Sequence, residues 1–231
     1  MKDWKADDHT LGQLHELGYV SDGRGERQFR PLLICDVDEV VLHLVDPFQK
    51  VMDERGYELK SHSFQLTGNI FNKQTGAEAT QQDVWDGLDQ LFREQNLRQH
   101  LVEGAVEALN DLARDIDILF LTNMPHDFRQ ARVTHLLDNG LNHPLVTNSG
   151  SKMPAIDIVK AHRGAPIGFI DDTPKNLNHV REGASDIHLF HFMANESFRE
   201  LAGEIEGAHF TSGDWKEAGP LIREVLVENR A

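Results

Sequence analysis

PLLICDVDEVV, residues 31–41, sets an unbroken apolar run directly before two acids, Asp36 and Asp38. A run of that length without polar alternation suits a strand covered on both faces. Spacing alone proves little, since 21 Asp in 231 residues give about two D-x-D triplets by chance, and the chain holds two, Asp36/Asp38 and Asp115/Asp117. Position separates them. The run ILFL follows Asp115 and Asp117, which places those acids at a strand's N-terminal edge. Asp36 and Asp38 come after their run, beyond the carboxyl end of a strand, where open α/β sheets bind ligands. Carboxylates at i and i+2 of a strand point the same way, and each raises the other's pKa unless a cation adjoins them or one keeps its proton. The pair therefore asks for a metal ion or for acid/base work.

Outward from this stretch, further apolar runs appear at 118–122 (ILFLT), 145–147 (LVT), 167–171 (IGFID) and 187–192 (IHLFHF). Helical patterns lie between them: Val102–Ala113, Asp127–Leu137, Pro154–Ala161, and a start at Thr173-Pro174 with Pro at the first helical position. Alternating strands and helices predict an α/β fold, a doubly wound, mainly parallel, Rossmann-like sheet with helices on both faces. The gap between the first two strands is too long for a simple crossover. It holds helical patterns near 47–56 and 81–95 and a Gly/Asn/Thr-rich stretch, TGNIFNKQTG, at 67–76. Residues 46–99 are read as a small, mostly helical inserted cap, with 31–45 and 100–231 as the core. Residues 1–30 form an N-terminal arm, in which Leu11, Leu14 and Leu17 suggest one short helix and Ser21–Gln28 has a loop's composition.

A formal charge of −15, from 38 acids against 23 Lys and Arg, repels nucleic acid and anionic lipid, and no basic cluster offsets it, so neither is expected as a partner. The single cysteine, Cys35, has no internal disulfide partner. The opening MKDWKADDHT lacks the apolar core of a secretory signal, and no apolar run approaches a membrane span. A soluble, reducing, cytoplasmic setting is expected.

Three more strand ends carry chemistry. The second run ends in Thr122 and Asn123, a hydroxyl and a backbone N–H able to receive an anion. The run IGFID ends in Asp171 and Asp172, just before a helix start, where the helix dipole favours acids. Between them GSKMP sets Lys152 ahead of another helix. In this order, DVDEV (36–40), LTN (121–123), SK (151–152) and DD (171–172) resemble the four motifs of the haloacid dehalogenase-like (HAD) superfamily, over roughly residues 31–182.

The resemblance implies a phosphatase-branch hydrolase acting on a small phosphorylated substrate. Asp36 would be the nucleophile that forms an aspartyl-phosphate, and Asp38 the general acid and then base. Mg²⁺ would be held by a carboxylate oxygen of Asp36, the backbone carbonyl of Asp38, and Asp172, with Asp171 as a direct or water-mediated neighbour. Thr122, Asn123 and Lys152 would bind the phosphoryl oxygens as their charge grows. Glu39 stands where the family often has Gly, which predicts altered loop geometry, and Val40 where Thr is common. The presence of Asp38 argues against the dehalogenase branch, which lacks that second acid.

Other residues are expected to be structural. Cys35 reads as a buried strand residue, His188 and His191 as satisfied histidines, and Trp85, Leu88, Leu91 and Phe92 as helix packing. His126, at a strand-to-helix turn, is a candidate substrate contact, as are Phe64, Asn69, Asn72 and Lys73 of the cap. A phosphomutase or phosphotransferase on the same nucleophile and a non-catalytic HAD-like binding protein remain as alternatives.

Overall fold

The computed structural model describes residues 5–20, 30–60, 63–64, 66–163 and 165–228. The Ser21–Gln28 loop lies outside the described residues. Among the described residues, eight strands and ten α-helices follow in chain order. The strands are β1 (Leu32–Cys35), β2 (Tyr57–Leu59), β3 (Ile70–Asn72), β4 (Asp117–Asn123), β5 (Leu145–Asn148), β6 (Ile167–Asp171), β7 (His188–Phe192) and β8 (Ala208–Ser212). The helices are α1 (Asp8–Glu16), α2 (Val45–Glu54), α3 (Gln81–Arg93), α4 (Gln95–Arg98), α5 (Ala105–Leu112), α6 (Arg129–Asp138), α7 (Met153–His162), α8 (Pro174–Gly183), α9 (Glu196–Ala202) and α10 (Trp215–Arg223).

Six strands form one sheet in the order β5-β4-β1-β6-β7-β8, and every pairing in it is parallel. The doubly wound α/β architecture read from the sequence is present. Strand alternation sends Leu33 and Cys35 to one face, against α5, α6 and α10. Leu32 and Ile34 go to the other face, against α7 and α8. Both faces are covered, which is why β1 has no polar position. β8 was not anticipated, because an edge strand with one half-exposed side reads as AHFTS, not as an apolar run. The α5 helix starts at Ala105 and not at Val102, because Gly104 takes φ +80° and breaks the backbone there.

The chain between β1 and β4 carries its own apolar cluster. Phe48, Val51 and Met52 of α2 pack on Val84 and Leu91 of α3 and on Ile70 of β3, apart from the main sheet. β2 and β3 form a separate antiparallel ribbon. This ribbon occupies part of what the sequence presented only as a Gly- and Asn-rich stretch.

The strand order reverses at β1. Strands β4 and β5 lie on one side and β6, β7 and β8 on the other, so the crevice opens at the carboxyl ends of β4, β1 and β6. The register pairs Cys35 with both Phe120 and Ile170, and Asp36 N–H donates to the Ile170 carbonyl at 2.9 Å. Asp36 thereby lies alongside Asp171 and one step from Thr122. On the β5 edge, α1 satisfies backbone groups that no strand reaches. Gln13 Oε1 accepts from Thr147 N–H at 2.8 Å, and Thr10 Oγ1 donates to the Thr147 carbonyl at 2.9 Å. The arm's leucine pattern thus marks a helix that closes an open sheet edge.

Candidate active site

Past β1 the chain turns sharply. The Val37 carbonyl accepts from Val41 and Leu42 N–H at 2.8 and 2.9 Å, and Trp215 Nε1 donates to the Val40 carbonyl at 2.8 Å. Glu39 sits in this turn with φ +62°, the left-handed conformation that Gly adopts freely. The loop therefore keeps a glycine-type geometry despite the bulkier residue, contrary to the altered loop expected from sequence. The buried Glu39 carboxylate offsets the strain by accepting from Leu44 N–H at 2.7 Å, Val45 N–H at 2.6 Å and Asn195 N–H at 2.9 Å. Glu39→Ala loses all three bonds and retains the strain, so it is expected to destabilise by about 2–4 kcal/mol. Glu39→Gly relieves the strain and should be the more stable of the two by about 1 kcal/mol in chemical denaturation.

At the floor of the crevice Lys152, wholly buried at the start of α7, lies 2.8 Å from Asp36 Oδ1 and 2.7 Å from Asp171 Oδ2. Asp171 also accepts from Thr173 N–H at 2.9 Å and Asn176 Nδ2 at 3.0 Å. The Thr173 hydroxyl donates to Asp172 Oδ1 at 2.9 Å. Thr173 is the N-cap residue expected before Pro174, but its hydroxyl serves Asp172 instead of the helix backbone. His191 donates from Nε2 to the Asp172 carbonyl at 2.9 Å, so this buried histidine is a satisfied core group, as read from sequence. Cys35 is fully buried, its thiol donating to the Asp36 carbonyl at 3.0 Å.

One carboxylate oxygen from each of Asp36, Asp171 and Asp172 lies within 4.8 Å of the others. Burial pushes the Asp36 carboxyl up to about 7, against the pull of Lys152 and with Asp171 and Asp38 adding repulsion. Burial, then Asp171 and Asp36, push Asp172 well above the carboxylate range. Although burial disfavours its charge, Asp171 and Asp36 hold the Lys152 ammonium above its ordinary value. Three carboxylates share one cation, and all their donors are hard oxygens. That donor set and its unrelieved charge fit a divalent ion of the Mg²⁺ or Ca²⁺ type.

Asp38 is not beside Asp36 in the way a continuing strand would put it. β1 ends at Cys35, and the turn sends the Asp38 carboxylate to partners of its own. Oδ1 accepts from Gln99 Nε2 at 2.8 Å and from Arg132 at 3.1 Å, and Thr122 Oγ1 lies 3.4 Å from Oδ2. The charge conflict inferred from the D-x-D spacing is met by two separate cations, Lys152 and Arg132. Arg132 is fully buried on α6 and donates further to Gln95 at 2.6 Å and Gln99 at 2.9 Å, with the Phe92 ring 5.8 Å away. These three residues were missed. The one available signal was an arginine on the buried stripe of α6, four residues before Leu136.

The four motifs meet at a cleft of about 670 Å³, lined by Asp36, Asp38, Thr122, Asn123, Lys152 and Asp172. Asn123 is fixed by Asn148, which donates to its side-chain oxygen at 2.7 Å. His126 lines the cleft too, but both of its ring nitrogens are engaged: Nδ1 lies 2.7 Å from Thr147 Oγ1 and Nε2 lies 3.0 Å from Asp7. Of the contacts suggested within residues 46–99, Asn69, Asn72 and Lys73 are held by structural partners, whereas Phe64 also lines a smaller pocket of about 260 Å³ with Asp172 and Thr173. Asn72 accepts two turn N–H groups, Lys73 pairs with Asp53 at 3.0 Å, Asn69 holds the Ser63 carbonyl at 2.7 Å, and Phe64 packs on Phe198. Of the residues read as packing, Leu91 and Phe92 are buried and Leu88 packs on the α2/α3 cluster while one side of it reaches the cleft, whereas Trp85 is exposed in the cleft wall. A groove of about 680 Å³ between α5 and α10 shares no residue with this cleft. Its walls carry Glu103, Glu107 and Asp111, which repel a phosphoester. Asp115 and Asp117 pair with Arg223 and Arg163 at the opposite end of the sheet from the cleft, as their position before the apolar run implied.

No protein-family model matches the sequence, and no curated protein is measurably similar to it. Solved structures are similar in fold. A conserved haloacid dehalogenase-like protein of unknown function from Agrobacterium tumefaciens superposes with a TM-score of 0.59 at 13% identity, over 84% of this chain and 98% of that one. The fold is that of the haloacid dehalogenase-like proteins. A predicted phosphoglycolate phosphatase from Haemophilus somnus matches the fold of this chain with a TM-score of 0.56 at 13% identity, covering 86% of this chain and 100% of that one. A HAD family hydrolase from Deinococcus radiodurans, whose structure contains phosphate and sodium, matches at 0.52 and 17% identity, over 87% and 96%. Among the described residues no helix is long and apolar enough to cross a membrane.

Proposed function

We propose that this HAD-like chain is a Mg²⁺-dependent phosphatase that hydrolyses a small phosphomonoester through an aspartyl-phosphate on Asp36. One observation carries the reading: Asp36 lies against the Lys152 ammonium at 2.8 Å, within 4.8 Å of two further carboxylates, at the floor of an open cleft. A carboxylate so placed is a nucleophile with charge relief built around it. In the first step an Asp36 oxygen attacks phosphorus, the ester P–O bond breaks, and the leaving oxygen takes a proton from Asp38. In the second, Asp38 takes a proton from water, the hydroxide attacks phosphorus, and Asp36 leaves with phosphate as the product. Thr122 Oγ, the Asn123 N–H and Lys152 take up charge on the transferring oxygens. Bound at Asp36, Asp171, Asp172 and the Asp38 carbonyl, Mg²⁺ would supply positive charge that lets an anionic nucleophile meet an anionic ester.

Residues 46–99 act as a cap over residues 31–45 and 100–231, excluding water while phosphorus is attacked. Gln99 ties the end of this cap to Asp38 directly, and Gln95 does so through Arg132. A purely structural role is disfavoured, because buried like charges cost stability that selection for folding alone would remove. Incubation with phosphomonoesters should release inorganic phosphate over many turnovers with Mg²⁺ and not with a chelator. Transfer to a sugar hydroxyl without phosphate release would instead make the chain a phosphotransferase or mutase. No reaction with any ester would remove the enzymatic reading.

A further inference from the structure

Helix α3 carries two apolar stripes. Val84, Gly87 and Leu91 are buried against α2, so closely that a Cβ on Gly87 would lie 2.4 Å from Met52 Sδ. Beside them Trp85, Leu88 and Phe92, spaced at i, i+3 and i+7, form a second stripe along the cleft that contains Asp36. Trp85 is 52% exposed, a large aromatic surface facing solvent inside a working cleft. Met124 and Pro125, from the chain after β4, line the same space. Positive charge is scarce in this cleft. Among the described residues the cleft has no arginine; its cationic or titratable basic side chains are Lys152, held by Asp36 and Asp171, and His126, held by Thr147 and Asp7. A second anionic group on the substrate would find no unpaired cationic side chain among these lining residues, in a chain of formal charge −15.

We propose that the cleft is an aromatic leaving-group subsite: the ester's departing group is uncharged, flat and apolar, and stacks against Trp85 beside Leu88, with the buried Phe92 backing that wall, while its phosphate reaches Asp36. The inference rests on the phosphatase reading and adds the substrate class. Stacking on Trp85 gains from both area burial and aromatic geometry, and a cleft of about 670 Å³ holds a bicyclic ester.

The test uses the full chain with Mg²⁺ and four substrates: 2-naphthyl, phenyl and 4-carboxyphenyl phosphate, and acetyl phosphate. Phenyl and 4-carboxyphenyl phosphate share a ring and differ in one remote charge. The uncharged ester should have kcat/KM about tenfold higher or more. Trp85→Ala should lower the ratio of kcat/KM for 2-naphthyl over acetyl phosphate about tenfold, chiefly through KM, and a ratio does not depend on how much of the variant folds. Leu88→Arg should raise 4-carboxyphenyl phosphate relative to phenyl phosphate. Equal use of the two phenyl esters by the wild type, or an unchanged naphthyl-to-acetyl ratio in Trp85→Ala, would overturn the subsite alone. No phosphate from any of the four would overturn the phosphatase reading and the subsite with it.

Discussion

Asp36→Asn is expected to lower phosphate release by about ten-thousandfold or more, because an amide oxygen does not displace an alkoxide from phosphorus. The substitution keeps shape and removes charge, so the protein should remain folded. It should also change the pH dependence of metal-free stability. The folded-state pKa of Asp36, about 7 against a reference of 3.8, means that the folded form binds this proton more tightly than the unfolded chain. The stability linked to it is complete below the unfolded value and is lost as pH rises through the folded one. In chelator, the wild-type melting temperature should therefore fall between pH 4 and pH 8 (about the range of these two values), and more steeply than that of Asp36→Asn. Asp172 and Glu39, both pushed upward by burial, leave a residual slope in the variant. Near pH 8 the metal-free variant should melt at or above the wild type. Full activity in Asp36→Asn, or a parallel pair of pH profiles, would remove Asp36 from the centre of the mechanism.

Lys152→Ala has the second large effect, on stability as well as catalysis. The ammonium is wholly buried between Asp36 and Asp171, and its loss leaves three carboxylates facing one another without their shared cation. Breaking a buried ion pair from one side costs about 3–5 kcal/mol, well above the effect of a surface pair. Denaturant unfolding in chelator should show that loss. A divalent ion binding the folded state alone should recover much of it, without restoring the charge that Lys152 would contribute at the phosphoryl oxygens in the proposed reaction. Activity with Mg²⁺ should stay at least about a hundredfold down. An unchanged unfolding midpoint would mean that the triad of charges contributes nothing to the fold.

Much of this was legible in the chain, and particular residues show why. Runs such as LLIC and IGFID have no polar position because both sheet faces are covered, and that burial writes itself into the sequence as unbroken hydrophobicity. Asp36, Thr122 and Asp171 could be placed because each ends or follows such a run, and parallel strands put their carboxyl ends on one rim; Lys152 was placed by its position before a helix and by the order of the motifs that resemble the HAD set. β8 escaped because an edge strand needs no second apolar face. Arg132, Gln95 and Gln99 escaped because a hydrogen-bonded cluster across 94 residues of chain separation leaves no period to detect. Trp85, Leu88 and Phe92 show a different limit. Helical spacing revealed that they share a face, but a stripe that packs a core and a stripe that waits for a ligand have the same spacing.

The sequence by itself determined the doubly wound sheet and the placing of Asp36, Thr122 and Asp171 at one end of it, since local hydrophobic period and strand direction carry that information, while the resemblance to the HAD motifs added Lys152. Tertiary structure alone decided how the charges pair, Lys152 with Asp36 and Asp171, Arg132 with Asp38. It also decided that Glu39 holds a glycine's backbone angle by accepting three N–H groups. Electrostatic and hydrogen-bond partners are chosen by distances of about 3 Å between segments far apart in the chain, and only the folded packing sets those distances.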